Sequence, residues 1–191
     1  TTHLRRAGAV LLATALGLGG LSLPALASTA TAGEGATATG PDSVIVGQSL
    51  HIEGDGWVSP AAAGGGSVIG VKLDDSTLAP PTAVTNPVSG APFNGVWAIV
   101  QAEADGSWQA DLPFPTADNT NPAGGYTAAA WAAGTTHNVR LLTGSLKPGD
   151  QPRSVSLPFT VVEAPAAAKL TATAANGGRG AAAAQVTLTL A

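Results

Sequence analysis

Side chains able to do chemistry are few in this chain, and they stand far apart. Its three histidines are His3, His51 and His137, and it has no cysteine. No H-x-x-x-H, H-E-x-x-H or Cys/His spacing occurs, so a transition-metal site would need ligands from distant segments. Nucleophilic hydrolysis requires an activated hydroxyl, its base and an oxyanion hole. No G-x-S-x-G elbow is present to supply the first. Paired acids for glycoside cleavage are defined by their separation in space, but the acids here have nearer structural uses. Asp105, followed by Gly106, is the residue a type I turn favours before glycine. Oxygen donors gather at Asp74 and Asp75 and in "DNTN" (118–121), which suits a hard cation. Asp74, Asp75 and Asp118 are therefore candidate calcium ligands, without a D-x-D-x-D-G run to specify the site. The glycine-rich "AAAGGGSVIG" (61–70) lacks the lysine and following helix of a phosphate cradle. These residues predict a non-enzymatic chain that needs no cofactor.

The aromatic residues offer binding rather than catalysis. "VWAIVQAEADGSWQADLPFP" (96–115) reads as two strands around a turn at Asp105-Gly106. A two-residue loop would mix charge with core. A three-residue loop, 104–106, instead pairs Glu103 with Ser107 and leaves Gly106 in the left-handed position of a bulge. One face then carries Val96, Ala98, Val100, Ala102, Trp108, Ala110 and Leu112. The other carries Gln101, Glu103, Ser107, Gln109 and Asp111. A one-residue slip would invert both faces, so the cleaner segregation selects the bulged hairpin. That register puts Trp97 on the polar face, either covered by a long loop or exposed for stacking on a sugar or docking a protein. Two long insertions, 74–95 and 113–136, carry Phe93, Phe114, Tyr126 and Trp131. Trp97, Trp131 and Tyr126 are the candidate ligand-binding residues, for an extracellular polysaccharide or a protein.

The elements that must position these residues are strands. Apolar runs at 43–46, 49–54, 67–73, 96–104, 107–112, 137–143 and 154–162 are bounded by Gly, Pro, Asn and Asp. Seven such runs predict an all-β antiparallel sandwich. Val155, Leu157, Phe159 and Val161 share one face, as do Leu50 with Ile52, and Ile69 with Val71 and Leu73. Pro158 removes a ladder donor and belongs on an edge strand or at a bulge. "TAAAWAA" (127–133) has room for one or two helical turns.

Before the sandwich, Arg5 and Arg6, an apolar helix-prone stretch (7–26) and the small-residue site Ala25-Leu26-Ala27 form the three-part pattern of a secretory signal peptide. The expected organisation is a signal peptide at 1–27, a flexible low-complexity leader at 28–42 and the sandwich at 43–163. An Ala/Pro linker follows at 164–168, and 169–191 is the start of a truncated second β module or a disordered tail. Removing Arg5 and Arg6 leaves six Lys/Arg against twelve Asp/Glu. That balance lacks the basic stripe a nucleic-acid partner requires. No membrane association of the mature form is expected unless an anchor lies beyond the recorded end.

The runs "GQSLHIEGDGW", "GGSVIGVKLDD", "EADGSWQADLPFP", "THNVRLLTGSLKPGD" and "RSVSLPFTVV" together resemble a bacterial immunoglobulin-like domain across about residues 41–163. The most specific parts are Gly54-x-Gly56-Trp57 and Asp105-Gly106-Ser107-Trp108. Such domains occur, often in tandem, in secreted and cell-surface proteins of high-GC Gram-positive bacteria. The resemblance implies an immunoglobulin-like sandwich in a spacer, adhesion or display role, with no catalytic residues to carry over. No L-P-x-T-G sorting signal and no inter-sheet cysteine pair accompanies it.

Overall fold

Strands whose side chains alternate inward and outward bury one face each, and nine of them assemble here into two sheets. The computed structural model describes residues 26–60, 63–75, 77–166, 170–174 and 186–190. Nearly all of the expected signal peptide lies outside the described residues.

In chain order the strands are β1 (Ala27–Gly33), β2 (Ala36–Pro41), β3 (Ser43–Ile45), β4 (Leu50–Asp55), β5 (Val68–Leu73), β6 (Val84–Thr85), β7 (Pro92–Phe93), β8 (Ala98–Gln101), β9 (Trp108–Leu112), β10 (Thr136–Leu142), β11 (Ser154–Val162), β12 (Leu170–Ala174) and β13 (Val186–Leu190). The first sheet has the order β1-β2-β4-β9, and the second β3-β11-β10-β5-β8. All pairings are antiparallel except that of β3 with β11. β6 with β7, and β12 with β13, form separate two-stranded ribbons.

Among the described residues the regular structure is β apart from one 3-10 turn at Pro122–Gly124, and the inner faces of the two sheets meet in a single core, as in a β-sandwich. Leu50 and Ile52 of β4 join Ile69, Val71 and Leu73 of β5, Val139 and Leu141 of β10, and Leu157 and Val161 of β11. Each such side chain contributes roughly 1.5–3 kcal/mol relative to exposure. β3 flanks β11 only along Thr160–Val162, so Pro158 lies where β11 has a strand on one side alone.

Two expectations need correction. Residues 28–42 are not a flexible leader but supply most of β1 and all of β2, with Ala36 and Ala38 fully buried. Alanine and glycine carry too little apolar area to show a hydrophobic period, yet only small residues fit there. A Cβ on Gly40 would stand 3.2 Å from both Ile52 Cγ2 and Leu157 Cδ1. Thr29 and Thr39 face each other across the ladder with hydroxyls 2.8 Å apart.

The second correction concerns 96–115. Its turn closes on the expected pair, Glu103 N donating to Ser107 O at 2.8 Å. Beyond that pair the strands part: β8 joins β5 and β9 joins β4, in different sheets. The segment is an arch between sheets, not a hairpin. The reason is competition for backbone groups near the turn. Ala102 N donates to Ser67 O at 2.9 Å, and Gly106 O accepts from Trp57 N at 3.0 Å.

Candidate functional site

The most specific sequence run, Gly54-x-Gly56-Trp57, builds the corner on which this arch rests. Trp57 is fully buried, donates its indole N–H to Thr37 O at 2.6 Å and meets Trp108 edge-on at 5.9 Å. A Cβ on Gly54 would stand 2.7 Å from the Trp108 ring, and one on Gly106 2.6 Å from Trp57 N. Asp105 and Gly106 lie in the turn itself, Gly106 at φ 88°. The Ser107 hydroxyl and then its amide, both donating to Asp105 Oδ1, hold that carboxyl below its ordinary value.

Trp97 does not offer a stacking face. It is 4% exposed, and its indole N–H donates to Pro113 O at 3.1 Å. The segment leaving β9 covers it. Trp131, 5% exposed, is likewise built in: His137 stacks on it at 3.8 Å with the planes 3° apart, and Phe114 meets it edge-on at 5.6 Å. The turns around it at 128–131 are i→i+3 turns, with Thr127 Oγ1 accepting from Ala130 N. Tyr126 is half-buried against the same core. Tyr126 and Trp131 do come together at one hollow of about 300 Å³, with Thr116 and Glu163 also on its walls. Trp97 is not among them.

The proposed calcium ligands do not converge. Asp74 accepts from Asn138 N at 2.7 Å through Oδ1, and its Oδ2 lies 2.5 Å from His137 Nδ1. Asp75 accepts from Arg140 at 2.6 Å. Both aspartates have left-handed backbones, φ 55° and 52°, a conformation Asp tolerates in tight turns. In the "DNTN" run, Asn119 Oδ1 accepts from Thr116 N and Asn121 Oδ1 from Ala123 N. The oxygens that suggested a cation thus serve backbone amides and the side chains of His137 and Arg140, and Asp118 is left exposed in its turn. Among the described residues no three His, Asp or Glu side chains gather where they could hold a metal ion.

Sequence reasoning missed the row Asp74–His137–Thr135, although one signal was present. His137 shares strand parity with Val139 and Leu141, which face the core. Its Nε2 lies 2.9 Å from Thr135 Oγ1, the order of groups that nucleophilic catalysis uses. The hydroxyl's one hydrogen goes to Ala132 O at 2.8 Å, while Trp131 and Phe159 pack against the imidazole. In this geometry the row fastens 127–135 onto β10.

A second missed cluster ties the opposite end. Buried Asp150 accepts from Ser59 Oγ and Ser67 Oγ, both at 2.8 Å, from Val68 N at 3.1 Å and from Gln151 N at 2.8 Å. Lys147 donates to the carbonyls of Gly64 and Gly66. Arg153 donates to Ser67 Oγ at 3.1 Å and Val58 O at 3.0 Å. Nothing in "SLKPGD" signals burial, because the partners lie some ninety residues away.

An open groove of about 890 Å³ is bordered by Leu26 and Ala27, by Val162 and Pro165, and by His51 and Glu53. His51 pairs with Asp111 across β4 and β9 at 2.9 Å on the exposed outer face. Comparison with known proteins adds no assignment: the chain matches no family model, no curated protein and no solved structure.

Proposed function

We propose that the chain is an exported, non-catalytic immunoglobulin-like module acting in display or adhesion, or as a spacer, in a bacterial extracellular or cell-surface protein. The strand distribution supports the architectural part. On this reading β2, β4 and β9 take the places of strands A, B and E, and β5, β10 and β11 those of C, F and G, with β8 beside C; the observed sheet orders are compatible with it. The move from β2 into β3, parallel to the last strand of the sandwich, fits the same plan. One observation carries the non-catalytic part: Asp74, Asp75, His137 and Asp150, the side chains best suited to chemistry, are engaged in fastening loops to strands. Fold by itself does not select a function, so the test must reach beyond folding. Expressed in a secreting Gram-positive host, the chain is expected in the medium or on the cell surface with Ser28 as its first residue, read by mass spectrometry. Retention in the cytoplasm with residues 1–27 attached would overturn export. Turnover of ester, glycoside or peptide substrates that disappears in His137→Ala would overturn the non-catalytic reading.

The hollow beside Tyr126 favours a second reading, an accessory module that binds carbohydrate. It predicts retardation by a cell-wall or plant polysaccharide in a native gel, lost in Tyr126→Ala at unchanged melting temperature. No retardation across a polysaccharide panel would remove it.

A further inference from the structure

Sheet edges expose unpaired backbone donors and acceptors, and proteins ordinarily guard them with shortness, charge, proline or a cover. Three edges of this sandwich are guarded in that way. β3 has three residues and β8 four. β11, where β3 does not flank it, carries Pro158. β9 carries Asp111 and is followed directly by Pro113. β1 differs. It has seven residues, Ala-Ser-Thr-Ala-Thr-Ala-Gly, with neither charge nor proline, and its register is irregular only near the turn, between Thr31 and Gly33. Among the described residues its one hydrogen-bonded neighbour is β2, on one side, while β11 of the other sheet packs against it. Its inward Ala30 and Ala32 stay partly open at the rim of the core.

We infer that the free edge of β1 is a self-association surface, where a second copy of the chain adds its own β1 antiparallel and joins two first sheets into one. The sequence of the strand argues for this occupant. Turned about Ala30, an antiparallel copy places Thr29 opposite Thr31, Ser28 opposite Ala32 and Ala30 opposite itself. Small residues meet small residues, and threonine meets threonine. The same Thr-to-Thr match already holds between β1 and β2, at Thr29 with Thr39 and Thr31 with Thr37. Such a contact is isologous and closes on itself, giving a dimer and not a filament.

Sedimentation velocity on the mature chain from Ser28 over a concentration series reads the result. A concentration-dependent dimer is expected. Thr29→Lys with Thr31→Lys places like charges opposite each other twice and should weaken it about tenfold or more. Thr29→Glu with Thr31→Glu should do the same, and an equimolar mixture of the two variants should restore the dimer. Three results would overturn the inference: a monomer at every concentration, a dimer indifferent to the lysines, or a mixture that stays monomeric. A dimer lost on removing 167–191 would also overturn it, by assigning the added strand to the β12–β13 ribbon.

Discussion

Asp105 does its work without burial. Its carboxylate accepts from the hydroxyl and the amide of Ser107 and so fixes the turn where the chain crosses between sheets. Because the folded protein depresses this pKa below the ordinary value of 3.8, the stability it contributes is complete above that value. It fades as pH falls through the lower, folded value. Asp105→Asn should therefore lower the melting temperature at neutral pH and flatten its decline on the acid side of the usual carboxylate range. Parallel melting curves for the two proteins through that range would contradict this. The turn was legible from Asp-Gly, because its requirements are local. Trp97 was not, because its surroundings depend on which strand β8 joins. Its burial under Pro113 follows from an arch, whereas two-faced alternation reads the same in an arch and a hairpin.

At the scale of the element, β2 is the most exacting strand. Ala36 and Ala38 are fully buried, and a Cβ on Gly40 would already press on Ile52 and Leu157. Ala38→Val should overpack the core there and cost about 1–3 kcal/mol, measured as a fall in the denaturant midpoint with an unchanged slope. A neutral result would mean that β2 does not pack as described. The seven runs read from the sequence all coincide with strands, because Val, Leu, Ile and Phe at alternate positions announce a buried face. β1 and β2 escaped notice for the complementary reason: threonine outward and alanine inward form a strand that a scale of hydrophobicity does not see.

Over the whole molecule, two sets of polar ties stand at opposite ends of the sandwich. Asp74 ties the end of β5 to His137 of β10, on which Trp131 of the 113–136 insertion stacks, at one end, and Asp150 joins the loops 56–67 and 143–153 at the other. Asp150→Ala would leave two buried hydroxyls and two amides without their acceptor. The expected loss is about 3–5 kcal/mol, read by urea denaturation, with Asp150→Asn retaining part of it. A loss under about 1 kcal/mol, the size of an ordinary surface change, would show that the loops hold without this tie. None of these long-range partnerships was visible along the chain, since each joins residues more than sixty positions apart.

The chain enters β1 at Leu26–Ala27 and runs on from β11 at Val162–Pro165, and both points border the same groove. A force drawing them apart would open strand ends one hydrogen bond after another; it would not slide strands along their length. With Ser28 as the first residue, any polypeptide that follows β11 leaves from this same end, so the unit adds hardly any reach and suits display better than spacing. The Asp150-tied loops stand at the opposite end.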